Sequence, residues 1–470
     1  NKVRTNRSTK DTVSMKTAVN NNNGLMTEGS IFQKILFFSI PLILGNLLQQ
    51  LYNTADSVMV GNFVGSNALA AVGASSSMIY LLIAFSQGAA VGAGVIVAQY
   101  LGARDKKSVS DAVHTSLVIA GILGIVLTIA GIVLSRQLLE WMKTPEEVME
   151  QAVTYFRLYS AGMFFGIVYN MAAGILNAAG NSKRSLLYLA VASFTNIILD
   201  ILFIAILDMG VAGAAIATDI SQAVSCILSM AFLMRVKDSY QVSLKKLKIH
   251  RRIAGSMIRV GLPTGIQNMV ISLSNVLVQT SVNGFGAAAM AGYTAYLKVD
   301  GFNILPVMSF SMAVTTFAGQ NYGAGNYDRV KKGMYVTLAM GFVYTVLTGA
   351  LLLTFDDQIM GMFSRDAEVI TCGKLAMKYF CPFYFILSIL HGLSGALRGV
   401  GKSIPPMVVL LLSLCVFRIF WIWLVLPHFS TIEGVYLLYP VSWALGAVMI
   451  IIYACTAKWL PAGRQQGKVR

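Results

Sequence analysis

The chain has 470 residues, of which 56% are hydrophobic and only 12% charged, and its mean hydropathy is +0.68. This composition excludes an ordinary soluble domain and predicts a membrane protein with several spans, because each long apolar stretch reaches the ~20 residues that a spanning helix needs. The net charge of +16 suggests nucleic acid or a membrane surface as a partner.

Cysteine and histidine usage excludes further classes. The five cysteines lie mostly inside apolar stretches without a CxxC pair, which predicts neither a disulfide framework nor a metal site. The four histidines lie far apart and no cofactor motif is present, so we expect no cofactor. The polar first 25 residues lack the apolar core of a signal peptide. Met26 would make a natural start, and residues 1–28 are expected to form a disordered extension.

Apolar stretches predict an all-α protein with twelve membrane-spanning helices in two six-helix bundles. The expected spans are 33–60, 68–101, 109–135, 152–178, 184–207, 211–234, 256–283, 289–321, 331–355, 370–398, 403–427 and 433–458. The N-terminal bundle covers 29–236, a cytoplasmic linker 237–255, the C-terminal bundle 256–460 and a tail 461–470. Within the linker region, residues 244–258 are a candidate amphipathic helix on the membrane surface.

The distribution of Lys and Arg fixes the expected orientation. If the N-terminus is inside, every inside loop is basic and the outside loops carry almost no basic charge. The inside clusters are Arg104, Lys106 and Lys107; Lys183 and Arg184; Arg235 to Arg259; Arg329, Lys331 and Lys332; and Arg398 and Lys402. The basic excess is therefore typical of cytoplasmic loops. It removes nucleic acid as a partner and predicts a plasma (inner) membrane protein with both termini in the cytoplasm.

The two halves of the sequence repeat in one register. Pro41, Asn46 and Asn53 pair with Pro263, Asn268 and Asn275 at a shift of 222 residues, and Gln99, Gly102, Gly174 and Gly213 pair with Gln320, Gly323, Gly395 and Gly434 at a shift of 221. Because six spans is an even number, both halves start on the same side and the repeats are parallel. Such duplication is an architecture of secondary transporters that work by alternating access.

The first span carries a polar stripe. Asn46, Gln49, Asn53 and Asp56 recur at steps of three, four and three, which places them on one helical face. An acid at membrane depth costs roughly 2.5–3.5 kcal/mol on insertion scales, so it normally faces the protein interior or a water-filled cavity. Asp56 is therefore a functional candidate, and the alternative is an interfacial acid near the outer end of the helix.

Two further stripes follow in the fifth and sixth spans, comprising Ser193, Asn196 and Asp200, and then Thr218, Gln222 and Ser225. Asp200 precedes the outer end of its helix, and Thr218 follows the outer start of the next, by about seven residues each. At 1.5 Å per residue both lie about 10 Å from the outer boundary. The polar residues of the three spans are therefore expected to converge.

The second repeat has lost these polar residues, since Asp56, Asp200 and Thr218 align with Val278, Trp421 and Tyr439. The asymmetry favours a proton or cation site confined to the N-terminal half over structural hydrogen bonding. Two nearby carboxylates in a low-dielectric bundle resist double ionisation, and amide and hydroxyl oxygens would complete a sodium shell. The sequence leaves H⁺ and Na⁺ both open.

Other polar residues in the spans are candidates for a substrate cavity. The predicted lining is Asn46, Gln49, Asn53, Ser193, Gln222, Asn275, Gln279, Lys298 and Asp300. Lys298 and Asp300 either line the cavity or pair with another helix. Asp219 is expected to face water or a neighbouring loop. Arg418 either snorkels or pairs, with a structural role favoured. Gly88, Gly92 and Gly94 favour close helix contact over a nucleotide loop.

Several motifs together resemble the multidrug and toxic compound extrusion (MATE) family, from Gly29 to about Leu460. They are TADSVMVGNFVGSNALAAVG, AQYLGARDKKSV, GQNYGAGNYDRV, NIILDILF, GVAGAAIAT and GALRGVGKS. Within the family the chain is similar to the DinF-like branch, whose cation site would correspond to Asp56, Asn196, Asp200 and Thr218. The NorM-like branch is known for acids in the seventh and tenth spans, where residues 258–283 and 373–397 here contain none.

The resemblance implies export of organic, often cationic and amphipathic compounds in exchange for H⁺ or Na⁺, through a cavity between the halves. The expected protein is a lipid-embedded monomer without an obligatory protein partner. It is not expected to be an enzyme, because clustered nucleophiles, bases or metal ligands are missing. The alternative is a flippase or exporter of a lipid-linked or other specialised metabolite. That alternative favours a cationic cavity and often more than twelve spans.

Overall fold

The computed structural model describes residues 25–461, and within that range the chain forms helices and short connections without a β-strand. Eleven helices are long and apolar enough to cross a membrane. A twelfth, α7, has 33 residues but is more polar. The helices are α1 (Ile31–Val64), α2 (Ser66–Gly102), α3 (Lys106–Trp141), α4 (Glu146–Ala178), α5 (Ser182–Ile206), α6 (Gly210–Arg235), α7 (Arg251–Asn283), α8 (Ala287–Gly323), α9 (Tyr327–Thr354), α10 (Ala367–Gly399), α11 (Ile404–His428) and α12 (Glu433–Thr456).

Several helices depart from regular α geometry. α1 and α5 both end in π-helical turns, at Val60–Val64 and Ile201–Ile206. α10 is broken by a 3₁₀ turn at Cys381–Phe383, because Pro382 lacks the N–H that would continue the hydrogen-bond ladder. A short helix, Asp356–Gly361, precedes α10. Large apolar side chains such as Phe37, Val133 and Trp423 are exposed on the helix surfaces, as in a protein surrounded by lipid.

The helices form two bundles, each with its own apolar core. The first contains clusters from α1 to α6, and the second a cluster that runs from Val278 to Trp459. α7 contacts both bundles, because one part of it packs on α2 and the rest packs on α11 and α12. The end of the molecule with the α2–α3, α4–α5, α6–α7, α8–α9 and α10–α11 connections carries most of the basic residues, and we refer to it as the basic end.

Glycines join the two bundles near the basic end. Gly88 and Gly92 of α2 lie against Gly261 and Gly265 of α7. A Cβ atom on Gly88 would lie only 2.6 Å from the Gly261 carbonyl oxygen, so the backbones are in direct contact. Gly94 similarly lies against Gly174 on α4. The prediction that these glycines permit close helix contact is confirmed, because only a residue without a side chain fits.

A reciprocal pair of hydrogen bonds closes the basic end. Gln99 of α2 donates through Nε2 to the Gly399 carbonyl oxygen at 2.9 Å, and Gln320 of α8 donates to the Ala178 carbonyl oxygen at 2.8 Å. Both donors and both acceptors are related by the 221-residue repeat. Each glutamine therefore ties its own bundle to the other, and we call this pair the glutamine clasp.

The segment before α1 is part of this closure. Met26 is 1% exposed, and its N–H donates to Gln320 Oε1 at 2.6 Å. Its carbonyl oxygen accepts hydrogen bonds from Asn321 at 3.3 Å and from Arg329 at 3.2 Å. Residues 25–28 of the predicted disordered extension thus belong to the folded protein, held by contacts that apolarity alone does not reveal. Residues 1–24 and, in the predicted tail, 462–470 lie outside the described residues.

The connection between α6 and α7 is not a surface helix. It contains one 3₁₀ turn, Leu244–Lys246, and α7 begins at Arg251. The expected amphipathic helix over residues 244–258 is therefore wrong. The connection is instead held to α3, since the Ser243 N–H donates to His114 Nε2 at 3.0 Å and the His250 N–H donates to Thr115 Oγ1 at 3.2 Å.

Candidate functional site

The four predicted coupling residues are all buried inside the first bundle. Asp56 on α1 is 9% exposed, Asn196 and Asp200 on α5 are each 1% exposed, and Thr218 on α6 is 5% exposed. Asp56 lies one turn before the π-helical turn of α1, and Asp200 directly precedes that of α5. Such turns often accompany functional sites, because the local bulge changes the direction of the neighbouring side chains.

The oxygens of this group are largely without hydrogen-bond partners. Oδ1 of Asp56, both carboxylate oxygens of Asp200 and Oδ1 of Asn196 are buried and unpartnered. The Asp56 and Asp200 carboxylates lie close enough to interact electrostatically. Buried polar atoms in native proteins are nearly always hydrogen-bonded, so several orphaned oxygens in one place indicate a binding site.

Asn196 and Thr218 complete the group. Asn196 Nδ2 donates to Thr218 Oγ1 at 3.5 Å, and Thr218 Oγ1 donates to the Ala214 carbonyl oxygen at 3.0 Å. This arrangement leaves Asn196 Oδ1 free to face a ligand. The structure thus places all four residues in one interior region of the first bundle, and their role as coupling residues stays a prediction.

Tyrosines on α4 also belong to this region, and the sequence interpretation missed them. The Tyr155 hydroxyl lies within electrostatic range of both Asp56 and Asp200. Tyr159, one turn further along α4, accepts a hydrogen bond from Gln222 Nε2 at 3.2 Å. The spacing of four residues in TYFRLYS put both rings on one face. A tyrosine at membrane depth is unremarkable by composition, so only its register with the stripes would have identified it.

A small polar cavity lies within the same bundle. Its volume is about 110 Å³, below the 300–1,000 Å³ typical of drug-sized ligands. The polar lining includes Gln49, Tyr159, Asn170, Ser193, Asn196 and Gln222. Three predicted substrate-cavity residues therefore line this space together with a predicted coupling residue. The space suits water and ions rather than an organic substrate.

A larger cleft opens between the bundles, at the end opposite to the basic end. Its volume is about 620 Å³, within the range for an organic ligand. Its polar lining is Gln50, Asn53, Thr54, Ser57, Asn62, Ser66 and Lys298. Asn53 and Lys298, predicted as cavity residues, thus line this cleft from α1 and α8, which belong to different bundles.

The other four predicted cavity residues line neither space. Asn46 donates to Ser309 Oγ on α8 at 3.0 Å, Asn275 Oδ1 accepts from Arg418 at 3.3 Å, and Gln279 donates to Asn283 on its own helix at 3.1 Å. Asp300 accepts a hydrogen bond from the Tyr384 hydroxyl at 2.6 Å. Each is engaged with protein groups, a detail that helix periodicity does not specify.

Asp219 faces the bundle interior. It lies against Gly162 of α4, where a Cβ atom would overlap its side chain, and its Oδ1 is buried without a partner. The expectation that Asp219 faces water or a neighbouring loop is wrong. Although Asp219 points away from Thr218, α4 packs on that side of α6 as well. The first bundle therefore holds a third acidic side chain, which is half-buried.

Arg418 pairs within the second bundle instead of snorkelling. It is 3% exposed and donates to Ser442 Oγ and Ser274 Oγ, each at 3.2 Å. Its guanidinium lies 4.4 Å from the centroid of the Tyr439 ring. Because Tyr439 aligns with Thr218, the second bundle holds a fixed side-chain cation near the position that corresponds to the predicted ion site.

Twelve helices in two parallel repeats, within the residues that the structure describes, are an architecture typical of membrane transporters. The MatE family model matches residues 41–202 and 263–424, one copy in each half. The two matches are offset by the same 222 residues as the sequence repeat. The chain belongs to the MATE family.

Curated relatives and solved structures agree with this assignment. The chain is 30% identical over 392 residues to the probable multidrug resistance protein YpnP of Bacillus subtilis, covering 83% of this chain and 88% of that protein. It is 27% identical over 394 residues to the probable multidrug resistance protein NorM of Thermotoga maritima, covering 83% and 84%. These relatives are transporters, which supports a transporter rather than a catalyst.

The fold is also that of solved family members. A structure described as the outward-facing conformation of a multidrug resistance MATE family transporter superposes with a TM-score of 0.86 at 25% identity, covering 93% of this chain and 97% of that one. A transporter of Pyrococcus furiosus, described as having a binding pocket of reverse polarity, superposes with a TM-score of 0.86 at 26% identity, covering the same shares. The predicted twelve-helix fold and family are confirmed.

Proposed function

We propose that the protein is an antiporter that exports organic compounds in exchange for H⁺ or Na⁺, with Asp56, Asn196, Asp200 and Thr218 as the ion site. The observation that carries this proposal is the group of buried, unpartnered oxygens on Asp56, Asp200 and Asn196. Relatives named as multidrug resistance proteins support export of several compounds.

The chemistry of the site suits a small exchangeable cation. A buried polar atom without a partner costs about 1–3 kcal/mol, and more when it is charged. A proton shared between the carboxylates removes part of this penalty, and a sodium ion removes it by accepting oxygen ligands from Asp56, Asp200 and Asn196. The small polar cavity beside Asn196 supplies water when the ion leaves.

Exchange requires access from one side at a time. In this conformation the glycine contacts and the glutamine clasp close the basic end, while the cleft with Asn53 and Lys298 lies at the opposite end. With the basic end in the cytoplasm, as the positive-inside pattern predicts, the conformation is outward-facing. Ion binding to the first bundle then favours closure of the cleft and opening of the basic end.

The remaining assignments follow from the same picture. The protein works as a monomer in the plasma (inner) membrane, with both termini in the cytoplasm. The acids of the first bundle support membership of the DinF-like branch. Its substrates are cationic, amphipathic compounds that approach through the lipid and are released from the cleft.

The test is transport in proteoliposomes with an imposed proton or sodium gradient and a panel of fluorescent cations. Asp56→Asn and Asp200→Asn should each reduce gradient-driven export to the level of empty vesicles. Asp208→Asn is the matched control, because this exposed residue lies on the α5–α6 connection and has a positive φ that asparagine also adopts. Wild-type export rates in both Asp56 and Asp200 variants would refute the proposal.

A second candidate is export of anionic or zwitterionic compounds, including a lipid-linked metabolite. One observation favours it: the cleft lining given above has no carboxylate and carries the amino group of Lys298. Under this alternative, Lys298→Gln should abolish export of an anionic dye. Under the cation proposal the same change should leave export of cationic dyes intact or increase it, so the two dyes together distinguish the candidates.

A further inference from the structure

A second carboxylate site lies in the other bundle, away from the proposed ion site. Asp300 on α8 is half-buried, and its Oδ1 accepts hydrogen bonds from the Tyr384 hydroxyl on α10 at 2.6 Å and from the Tyr296 hydroxyl at 3.5 Å. Tyr296 and Tyr384 also contact each other through their hydroxyls. We call these three residues the Asp300 triad.

No positive side chain neutralises this carboxylate. Among residues 25–461, six ion pairs bring a Lys, Arg or His nitrogen within 4.0 Å of a carboxylate oxygen. None of these carboxylates is that of Asp300. Lys298 is exposed and lies two positions away on α8, so it projects from another face of the helix. Arg418 makes its own hydrogen bonds to serines of α7 and α12.

We propose that Asp300 is a reversible proton-binding site, separate from the ion site of the first bundle. A tyrosine hydroxyl donates to an ionised carboxylate and accepts from a protonated one. The triad therefore keeps its hydrogen bonds in both protonation states without moving a side chain. A carboxylate held by arginine lacks this property, because the guanidinium has no acceptor.

The close packing of rings around the two tyrosines favours a proton over a larger ligand at this site. Tyr296 and Tyr384 are 2% and 1% exposed, and Phe380 stacks on Tyr296 with ring centroids 4.8 Å apart. Tyr384 stacks on Trp443 at 6.2 Å. Neither a hydrated metal ion nor an organic cation fits between these rings, whereas a proton needs no additional space.

Ionisable side chains of the surrounding helices lie close to the Asp300 triad. Cys381 of α10 lies within electrostatic range of Asp300, as do Tyr293 of α8 and Tyr439 of α12, which contact each other through their hydroxyls at 2.5 Å. Arg418 of α11 acts on these two tyrosines.

The site is placed to act on the break in α10. Tyr384 is the first residue after the 3₁₀ turn Cys381–Phe383. Protonation of Asp300 replaces a charge-assisted hydrogen bond with a neutral one, which is roughly half as strong. The tie between α8 and the second segment of α10 therefore weakens, and α10 gains freedom to bend at the turn.

The experiment measures protonation directly and does not depend on transport. Infrared difference spectra of the purified full chain, between acidic and alkaline buffer, should contain a protonated-carboxyl C=O band that is lost in Asp300→Asn. Asp328→Asn is the control, because this exposed residue of the same half should leave the band unchanged. An Asp300→Asn spectrum identical to wild type would overturn the proposal.

Two further variants separate proton binding from a purely structural role. Tyr384→Phe should retain the band at a different frequency, because hydrogen bonding to the carboxyl sets its C=O frequency. Asp300→Glu should show a band of its own even where Asp300→Asn is poorly folded. If a folded Asp300→Glu protein lacks this band and shows only the bands of the other carboxyls, the proposal would also be overturned. Asp200→Asn should keep the band, so failure of the antiporter proposal and failure of this one are distinguishable.

Discussion

At the scale of single residues, the two bundles differ in the hydrogen bonding of their charged interior side chains. Asp56, Asp200 and Asp219 of the first bundle all have buried oxygens without hydrogen-bond partners. Arg418 of the second bundle donates hydrogen bonds to Ser274, Asn275 and Ser442. Arg418 keeps its positive charge in this hydrogen-bonded setting, whereas orphaned oxygens favour any ligand that satisfies them. At the position of the predicted ion site, the first bundle thus holds orphaned carboxylates and the second bundle holds a fixed positive charge.

Arg418→Met should destabilise the protein without creating a site that needs a ligand. The substitution leaves the acceptors on Ser274 and Asn275 unpartnered, which costs about 1–3 kcal/mol. The thermal midpoint in detergent should fall clearly below that of Arg136→Met, in which an exposed arginine of α3 is replaced. Equal midpoints for the two variants would show that the Arg418 network contributes no stability.

Tyr155→Phe should change the ion dependence of export while leaving the fold intact. The Tyr155 hydroxyl interacts with both Asp56 and Asp200, so its loss alters the environment of the ion. The ion concentration for half-maximal transport should shift by roughly three- to tenfold, the equivalent of about 1 kcal/mol. Tyr80→Phe, at an exposed tyrosine of α2, is the control and should match wild type. An unshifted Tyr155→Phe curve would exclude the tyrosine from the site.

At the scale of elements, the contact between α2 and α7 determines how closely the bundles approach. Gly88, Gly92, Gly261 and Gly265 bring two backbones together over about one and a half turns. At these glycines the contact is between backbone atoms. Packing between two backbones stabilises the interface only while the helices are in direct contact. This property suits an interface that opens and closes.

Gly88→Ala should prevent full closure of this interface. The new Cβ would lie 2.6 Å from the Gly261 carbonyl oxygen, and backbone cannot yield as a side chain does. We expect destabilisation of the closed basic end by about 1–3 kcal/mol, measured as a lower thermal midpoint and faster labelling of a cysteine introduced there. Gly73→Ala on the same helix has no atom within 4 Å of its new Cβ and should be neutral. If Gly88→Ala changed neither the thermal midpoint nor the labelling rate, the contact between α2 and α7 would have room for the added Cβ atom.

Sequence patterns predicted some of these elements and not others. Apolar length, basic loops and the repeat predicted the twelve helices, and the glycines of α2 predicted a close helix contact without identifying α7 as the partner. The orientation of Asp219 and the contacts of Tyr155 were missed, because they depend on which helix packs on each face of α4 and α6. Hydrogen bonds of Asp300 to Tyr384 also depend on the break in α10. Such rotations and breaks are set by packing between distant segments, which periodicity within one helix does not report.

At the scale of the whole molecule, the glutamine clasp connects the sequence repeat to the movement of the two bundles. Gln99 and Gln320 each donate to a carbonyl of the opposite bundle, at Gly399 and Ala178. Because the two bonds are related by the repeat, they break together when the bundles rock apart. The same two residues therefore mark the closed state of the basic end from both sides.

Gln99→Ala and Gln320→Ala should both increase hydrogen–deuterium exchange near the basic end. The affected peptides should be those around Gly399 for the first variant and around Ala178 for the second. Gln320→Ala should have the larger effect, because Gln320 also accepts from the Met26 N–H. Gln137→Ala, at an exposed glutamine of α3, is the control. Unchanged exchange in both clasp variants would show that the bonds do not hold the bundles together.

The contact of Met26 with Gln320 has a consequence for how the protein is made. The two residues are separated by 294 positions, so the partner of Met26 emerges only after seven helices have been synthesised. Until α8 is inserted, Met26 lacks its partner Gln320 and the basic end stays open. A nascent chain truncated before α8 should accordingly expose Met26 to a protease that cannot reach it in the finished transporter.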